Sequence, residues 1–207
     1  MTARQIADEC NTSVSVVMLA AFSVLLSRLN GHEDVVVVYA GKAENHLEVV
    51  PLRLAPSWQR NFNEFVTGVE IKKTRALENG AYAFEFLTAE AMQAEDGLTA
   101  PSFDVAFIHN QSIDGIVERL TELVPQIGGE LKLALELTES AGQLSLNLAY
   151  RAGSMQSEII AQLETWLNSL VSNVARDVGK RIGDIALEND NAVVTVPDDL
   201  YGTQFSF

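Results

Sequence analysis

The 207-residue sequence holds a single cysteine, Cys10, so no intramolecular disulfide framework can be built from it. Asp8 and Glu9 beside that thiol raise its pKa, which argues for an inert side chain rather than a nucleophile. Basic residues are also scarce. Fourteen Lys and Arg against 28 Asp and Glu leave a net charge of −14, which argues against nucleic acid or an anionic membrane as a partner. There is no internal repeat, low-complexity tract, phosphate-binding loop, dinucleotide fingerprint or metal-ligand spacing. No apolar run reaches the ~20 residues of a membrane span. The most apolar stretch is broken by Ser15, Ser23 and Ser27 and follows acidic residues rather than a basic leader, so a soluble, cytoplasmic protein is expected. What is present is apolar bulk: 47% of the residues are hydrophobic, enough for one sizeable core at this length.

Residues 13–42 are the stretch around which the chain is organised. Val14, Val17, Met18, Ala21, Phe22, Leu25, Leu26 and Leu29 repeat at helical spacing, while Val16, Leu19, Ala20 and Val24 leave almost no polar face. A helix covered on most sides is predicted, capped by Asn11, Thr12 or Ser13 and stopped at Asn30-Gly31. The run Val35-Val36-Val37-Val38-Tyr39 does not alternate, which predicts a strand buried on both faces. Further along, residues 2–10 start or lead into the main helix, 43–48 form a polar connection and 49–54 a short strand. A second helix is expected over 58–78 and a strand over 102–110. Leucines 131, 133, 135 and 137 alternate, as do Leu144, Leu146, Leu148 and Tyr150, with Ser140-Ala141-Gly142 between them: an antiparallel hairpin. A last amphipathic helix covers 156–176. Residues 113–124 fit a helix by spacing, but extended chain stays open.

Several of these patches resemble the condensation domains of nonribosomal peptide synthetases. The LAAF-centred helix with its Leu-Ser-Arg ending, Gly31, the acidic pair Glu33-Asp34, the valine strand and Ala40-Gly41-Lys42 are similar to the start of that family's C-terminal lobe. Val50-Pro51-Leu52-Arg53 keeps the end of a longer family pattern from which several residues are missing here, and Phe84, Glu85 and Leu87 keep part of another. Residues 102–110, the leucine hairpin and Ile182-Gly183-Asp184-Ile185 also match family segments. The resemblance implies an α/β fold, an α+β two-layer sandwich: a chloramphenicol-acetyltransferase-like lobe with a mixed sheet and helices packed mainly on one face. It covers residues 1–187 and leaves 188–207 as an acidic, aromatic tail expected to dock on its own or a neighbouring surface.

In that family the reaction centre is an HHxxxDG motif of the N-terminal lobe. The three histidines here, His32, His46 and His109, stand apart and are read as no part of such a motif, so no catalytic or metal-binding residue is expected. His109, Asn110 and Arg53 are the candidates to line a cleft; for His109 a structural role competes with that of a base, which would need a positioned partner. Lys72, Lys73 and Arg75 could meet a phosphate, although a solvated helix end explains them as well. The resemblance implies a noncatalytic lobe that binds or scaffolds. Its partners would be a carrier protein bearing phosphopantetheine, a complementary N-terminal lobe, or a second copy in a homodimer. The alternatives are the C-terminal half of a working condensation enzyme and an independent acyltransferase. No cofactor is expected to bind directly.

Overall fold

The structure, a computed structural model, describes residues 2–43, 46–80, 103–111, 116, 131–140, 142–151 and 157–187. In chain order the elements are α1 (Thr2–Glu9), α2 (Val14–Asn30), β1 (Val35–Ala43), β2 (His46–Leu54), α3 (Phe62–Asn79), β3 (Val105–His109), β4 (Leu133–Ser140), β5 (Gln143–Tyr150), α4 (Ser157–Val174) and a 3-10 turn, Ile182–Asp184. The readings of residues 82–101 and of the 188–207 tail lie outside the described residues. So does that of 113–124, apart from Ile116, which is buried. The described residues fall into two compact units, the first from those of 2–35, 54–71 and 157–187, the second from those of 36–53 and 72–151.

The first unit gathers α1, α2 and α4. Ser13 is the residue that caps α2, its hydroxyl oxygen accepting from the Val16 N–H, and Gly31 ends the helix at φ 68°. Every residue from Ser15 to Ser27 is buried, as the absence of a polar face predicts. The serines inside this run are accommodated locally: the Ser23 hydroxyl donates to the Leu19 carbonyl at 2.7 Å and Ser27 to that of His32 at 2.6 Å. Leu163, Trp166, Leu167 and Leu170 form the buried side of α4.

Helix α3 starts at Phe62 and not at Trp58, and the reason is a competing use of the backbone. The Trp58 and Arg60 carbonyls accept from the Gly183 and Ile182 N–H groups, both at 2.9 Å, while Phe62 and Asn63 donate to the Lys180 and Val178 carbonyls. Residues 58–61 therefore pair with the 178–183 segment, through an isolated bridge between Asn61 and Arg181, before the helix can begin. The Arg28 guanidinium donates to the Ile182 carbonyl and so ties the end of α2 to the same segment. Burial lowers the Arg28 pKa, and nearby Asp184 partly offsets this.

The second unit is built on a five-stranded sheet of order β2-β1-β3-β4-β5. Strands β1, β3 and β4 are parallel, and β5 returns antiparallel to β4 through a turn containing Gly142 at φ 78°. The mixed sheet and the leucine hairpin are as expected. Two strands run longer than their apolar cores suggest: β1 continues to Ala43 and β2 already begins at His46, because ladder pairing extends past the hydrophobic residues into a stretch read as a connection. Aligned register puts Val38, Ala106, Ala134 and Ala149 in one row, on a face where Ile108 and Ile116 also pack. The opposite face carries Tyr39, Phe107, Leu135 and Leu148 in a second row.

Candidate functional site

In sheets with parallel strands, ligands are characteristically met beyond the carboxyl ends of those strands. Here β3 stops at His109, and Asn110 turns the chain with φ 54°, a left-handed conformation that asparagine tolerates better than most residues. Asn110 is a brace across the strand ends. Its N–H donates to the Leu137 carbonyl at 2.9 Å, and its side-chain Oδ1 accepts from the Glu139 N–H at 2.7 Å.

Register makes Leu137 the partner of His109, so Glu139, two residues on, projects from the same face. Its Oε1 lies 3.0 Å from His109 Nε2, with the two side chains 32% and 21% exposed: a site partly withdrawn from water yet open. Asn110 Nδ2 is 3.2 Å from the same ring nitrogen. Because the carboxylate can only accept, the hydrogen-bond network assigns the Nε2 proton to the Glu139 contact.

Tyr39 completes the neighbourhood on the same face. Its ring stacks on Phe107, with centroids 6.2 Å apart and planes 13° from parallel, and lies along its own strand over Gly41, where any Cβ would collide with the phenol. Burial raises the Tyr39 pKa, so the hydroxyl remains protonated at neutral pH. The Lys73 ammonium sits 5.7 Å from the centre of this ring.

Of the three sequence-derived candidates the structure brings two together, His109 and Asn110. Arg53 stands elsewhere. Adjacent strands joined by only two residues must run antiparallel, so Arg53, near the end of β2, comes level with the start of β1 and away from the carboxyl ends of the parallel strands. The basic cluster of α3 is likewise occupied within the unit, Lys72 donating to the Arg53 carbonyl at 2.7 Å and Lys73 lying over Tyr39.

Two features escaped the sequence. Glu139 is 30 positions from His109, and only the pairing of β3 with β4 makes them neighbours. The second corrects the view of His109 as isolated from any motif: residues 109–115 read His-Asn-Gln-Ser-Ile-Asp-Gly, an HHxxxDG spacing with Asn110 in place of the second histidine. Searching for adjacent histidines passes over it. Asp114 and Gly115 lie outside the described residues.

Chemically, the pair is an imidazole oriented by a carboxylate, and among the described residues no hydroxyl, thiol or amine is hydrogen-bonded to that imidazole. The other nucleophile type, Cys10, is half-buried in the first unit, its pKa raised by burial and then by Glu9. Less thiolate is therefore present at a given pH than in an open chain. Alkylation of Cys10 by iodoacetamide at pH 7.5 should be several-fold slower in the folded protein than in 6 M urea; equal rates would contradict the burial.

Comparison with known proteins follows the geometry. A family model described as "Condensation domain" matches residues 1–192. Surfactin synthase subunit 2 of Bacillus subtilis (strain 168) is 25% identical over 215 residues, a match that takes in 96% of this chain and 6% of that protein. The first condensation domain of the CDA synthetase superposes with TM-score 0.62 at 16% identity, over 89% of this chain and 44% of that one. The X-domain in a complex with OxyB from teicoplanin biosynthesis gives TM-score 0.68 at 19% identity, over 92% and 46%. The chain thus spans a small fraction of the curated relatives it matches and under half of these solved chains.

Proposed function

The chain belongs to the condensation-domain family, whose model matches residues 1–192, and on that premise we propose that it is a noncatalytic condensation-type lobe, a binding and scaffolding module of nonribosomal peptide synthesis. Its partner would be a carrier protein, which brings phosphopantetheine as cargo, or a complementary N-terminal lobe.

The observation that carries this reading is the missing reaction centre: no HHxxxDG occurs in the sequence. Residues 109–115 share the spacing alone: they lie in a segment of the C-terminal-lobe type, and the carboxamide of Asn110 cannot serve as a general base. Its Oδ1 accepts from the Glu139 N–H, so the side chain braces the ends of β3 and β4. The solved complex of the X-domain with OxyB supports the reading by analogy, as a protein of this fold seated on a second protein.

A second reading is favoured by one fact: the chain covers only 44% of the solved CDA condensation domain. These residues would then be the C-terminal half of a working amide-forming enzyme. One experiment separates the two. Carrier-bound donor and acceptor are incubated with the chain alone and with an added HHxxxDG-bearing lobe, and amide formation is followed by mass spectrometry, with carrier binding measured in parallel by calorimetry. We expect carrier binding and no amide in either mixture. Turnover by the chain alone, lost on changing one of its own residues, would overturn both readings; turnover only with the added lobe would establish the second.

A further inference from the structure

Strand β5 is the last in the sheet order, and among the described residues no strand pairs with its outer edge. Soluble proteins blunt such edges with charge, proline, a bulge or brevity, because a bare edge is a template for another strand. None of these devices is present. Gln143–Tyr150 runs for eight residues, QLSLNLAY, without a charge or a proline, and pairs with β4 residue for residue. Leu146 and Tyr150 are 42% and 43% exposed.

The phase of the edge follows from one hydrogen bond. The Arg151 N–H donates to the Lys132 carbonyl at 3.1 Å, so by alternation residues 149, 147, 145 and 143 also turn their backbone groups to β4. Leu144, Leu146, Leu148 and Tyr150 therefore turn theirs outward. Their side chains share one face.

We propose that this edge is a strand-pairing site for a second copy of the chain, joined antiparallel about a two-fold axis through Asn147. In that register Leu144 faces Tyr150 of the second copy and Leu146 faces its Leu148, each in both directions. Every outward N–H then meets a carbonyl, and the leucine row continues without a break. A shift by two residues in either direction leaves outward groups at one end unpaired. A second copy is favoured over another kind of partner because the strand is self-complementary: apolar residues meet apolar residues, Ser145 meets Ala149, and Asn147 meets itself. Self-association of a chain with net charge −14 also requires a contact free of charge, and all eight residues of this strand are uncharged.

The test is sedimentation of the full chain over a range of concentrations, together with cysteine cross-linking. The expected result is a concentration-dependent dimer whose dissociation constant rises at least tenfold in Leu146→Lys, an exposed position where the substitution leaves the fold intact. In a Cys10→Ser background, Asn147→Cys should form an intermolecular disulfide under mild oxidation, because facing residues at a non-hydrogen-bonded antiparallel position lie about 4.5 Å apart at Cα. Ser145→Cys, displaced from its own copy by several residues, should not. A monomer at all concentrations, a dimer indifferent to Leu146→Lys, or equal cross-linking at 145 and 147 would overturn the proposal. A monomer whose β5 amides are nonetheless protected from exchange would also overturn it, and would point to a different strand donor.

Discussion

Replacing Phe107 by alanine is expected to remove about 3–5 kcal/mol of stability, the range for deleting a buried phenylalanine that its surroundings cannot refill. Phe107 is fully buried at the centre of β3, flanked in register by Tyr39 on β1 and Leu135 on β4. Tyr39 also loses its stacked partner, and parallel strands held on both sides leave little freedom to collapse into the space. Domains of this size are stable by about 5–15 kcal/mol, so the variant would give up a large part of the total. Urea unfolding should show a lower midpoint with unchanged slope. A loss below about 1 kcal/mol would mean that the sheet repacks, contrary to the picture of a rigid central row. The substitution should also loosen the His109–Glu139 pair, which stands at the end of the same strands.

Gly183→Ala is the second large effect, and it comes from crowding rather than loss. A Cβ at this position would lie 2.9 Å from the Trp58 carbonyl oxygen and 3.3 Å from the Trp58 Cβ. The same carbonyl accepts the Gly183 N–H at 2.9 Å, so relieving the clash stretches that bond. Overpacking of this kind costs about 1–3 kcal/mol. Gly68 provides a contrast of opposite sign: it lies inside α3, and an added Cβ there meets only the Arg60 guanidinium at 3.7 Å. Gly68→Ala should therefore stabilise the protein by up to about 1 kcal/mol through helix propensity. Thermal or urea melts of the two variants should move in opposite directions. Matching shifts would show that close approach to Trp58 is not what position 183 requires.

The elements legible in the sequence were those whose own residues decide their structure. Helix α2 has no polar face to misplace, β1 has five consecutive apolar residues, and the β4–β5 hairpin has alternation on both sides of a glycine. Illegible were the features decided by a distant segment. The start of α3 was drawn four residues early because the carbonyls of Trp58 and Arg60 are claimed by residues more than a hundred positions away. The candidate site was half visible for the same reason. His109 and Asn110 announce themselves at a strand end, but Glu139 becomes a partner only once β3 and β4 are aligned. Arg53 was grouped with them on family likeness, and strand direction separates it.

The interleaving of segments in the first unit bears on how the protein comes into being during translation. Gln5 donates to the Ala175 carbonyl across 170 positions, and α2, buried throughout its middle, shares its unit with α4 from the far part of the chain. A ribosome adding roughly 5–20 residues per second makes those two helices on the order of 10–30 s apart. For that interval the most apolar helix of the chain has emerged without the element that shields it. Loop-closure entropy must also be met before such remote contacts repay it, which slows their formation. The nascent chain is therefore a natural client for chaperones that hold exposed apolar helices, and expression should depend on their supply and on growth temperature more steeply than the stability of the finished fold would suggest.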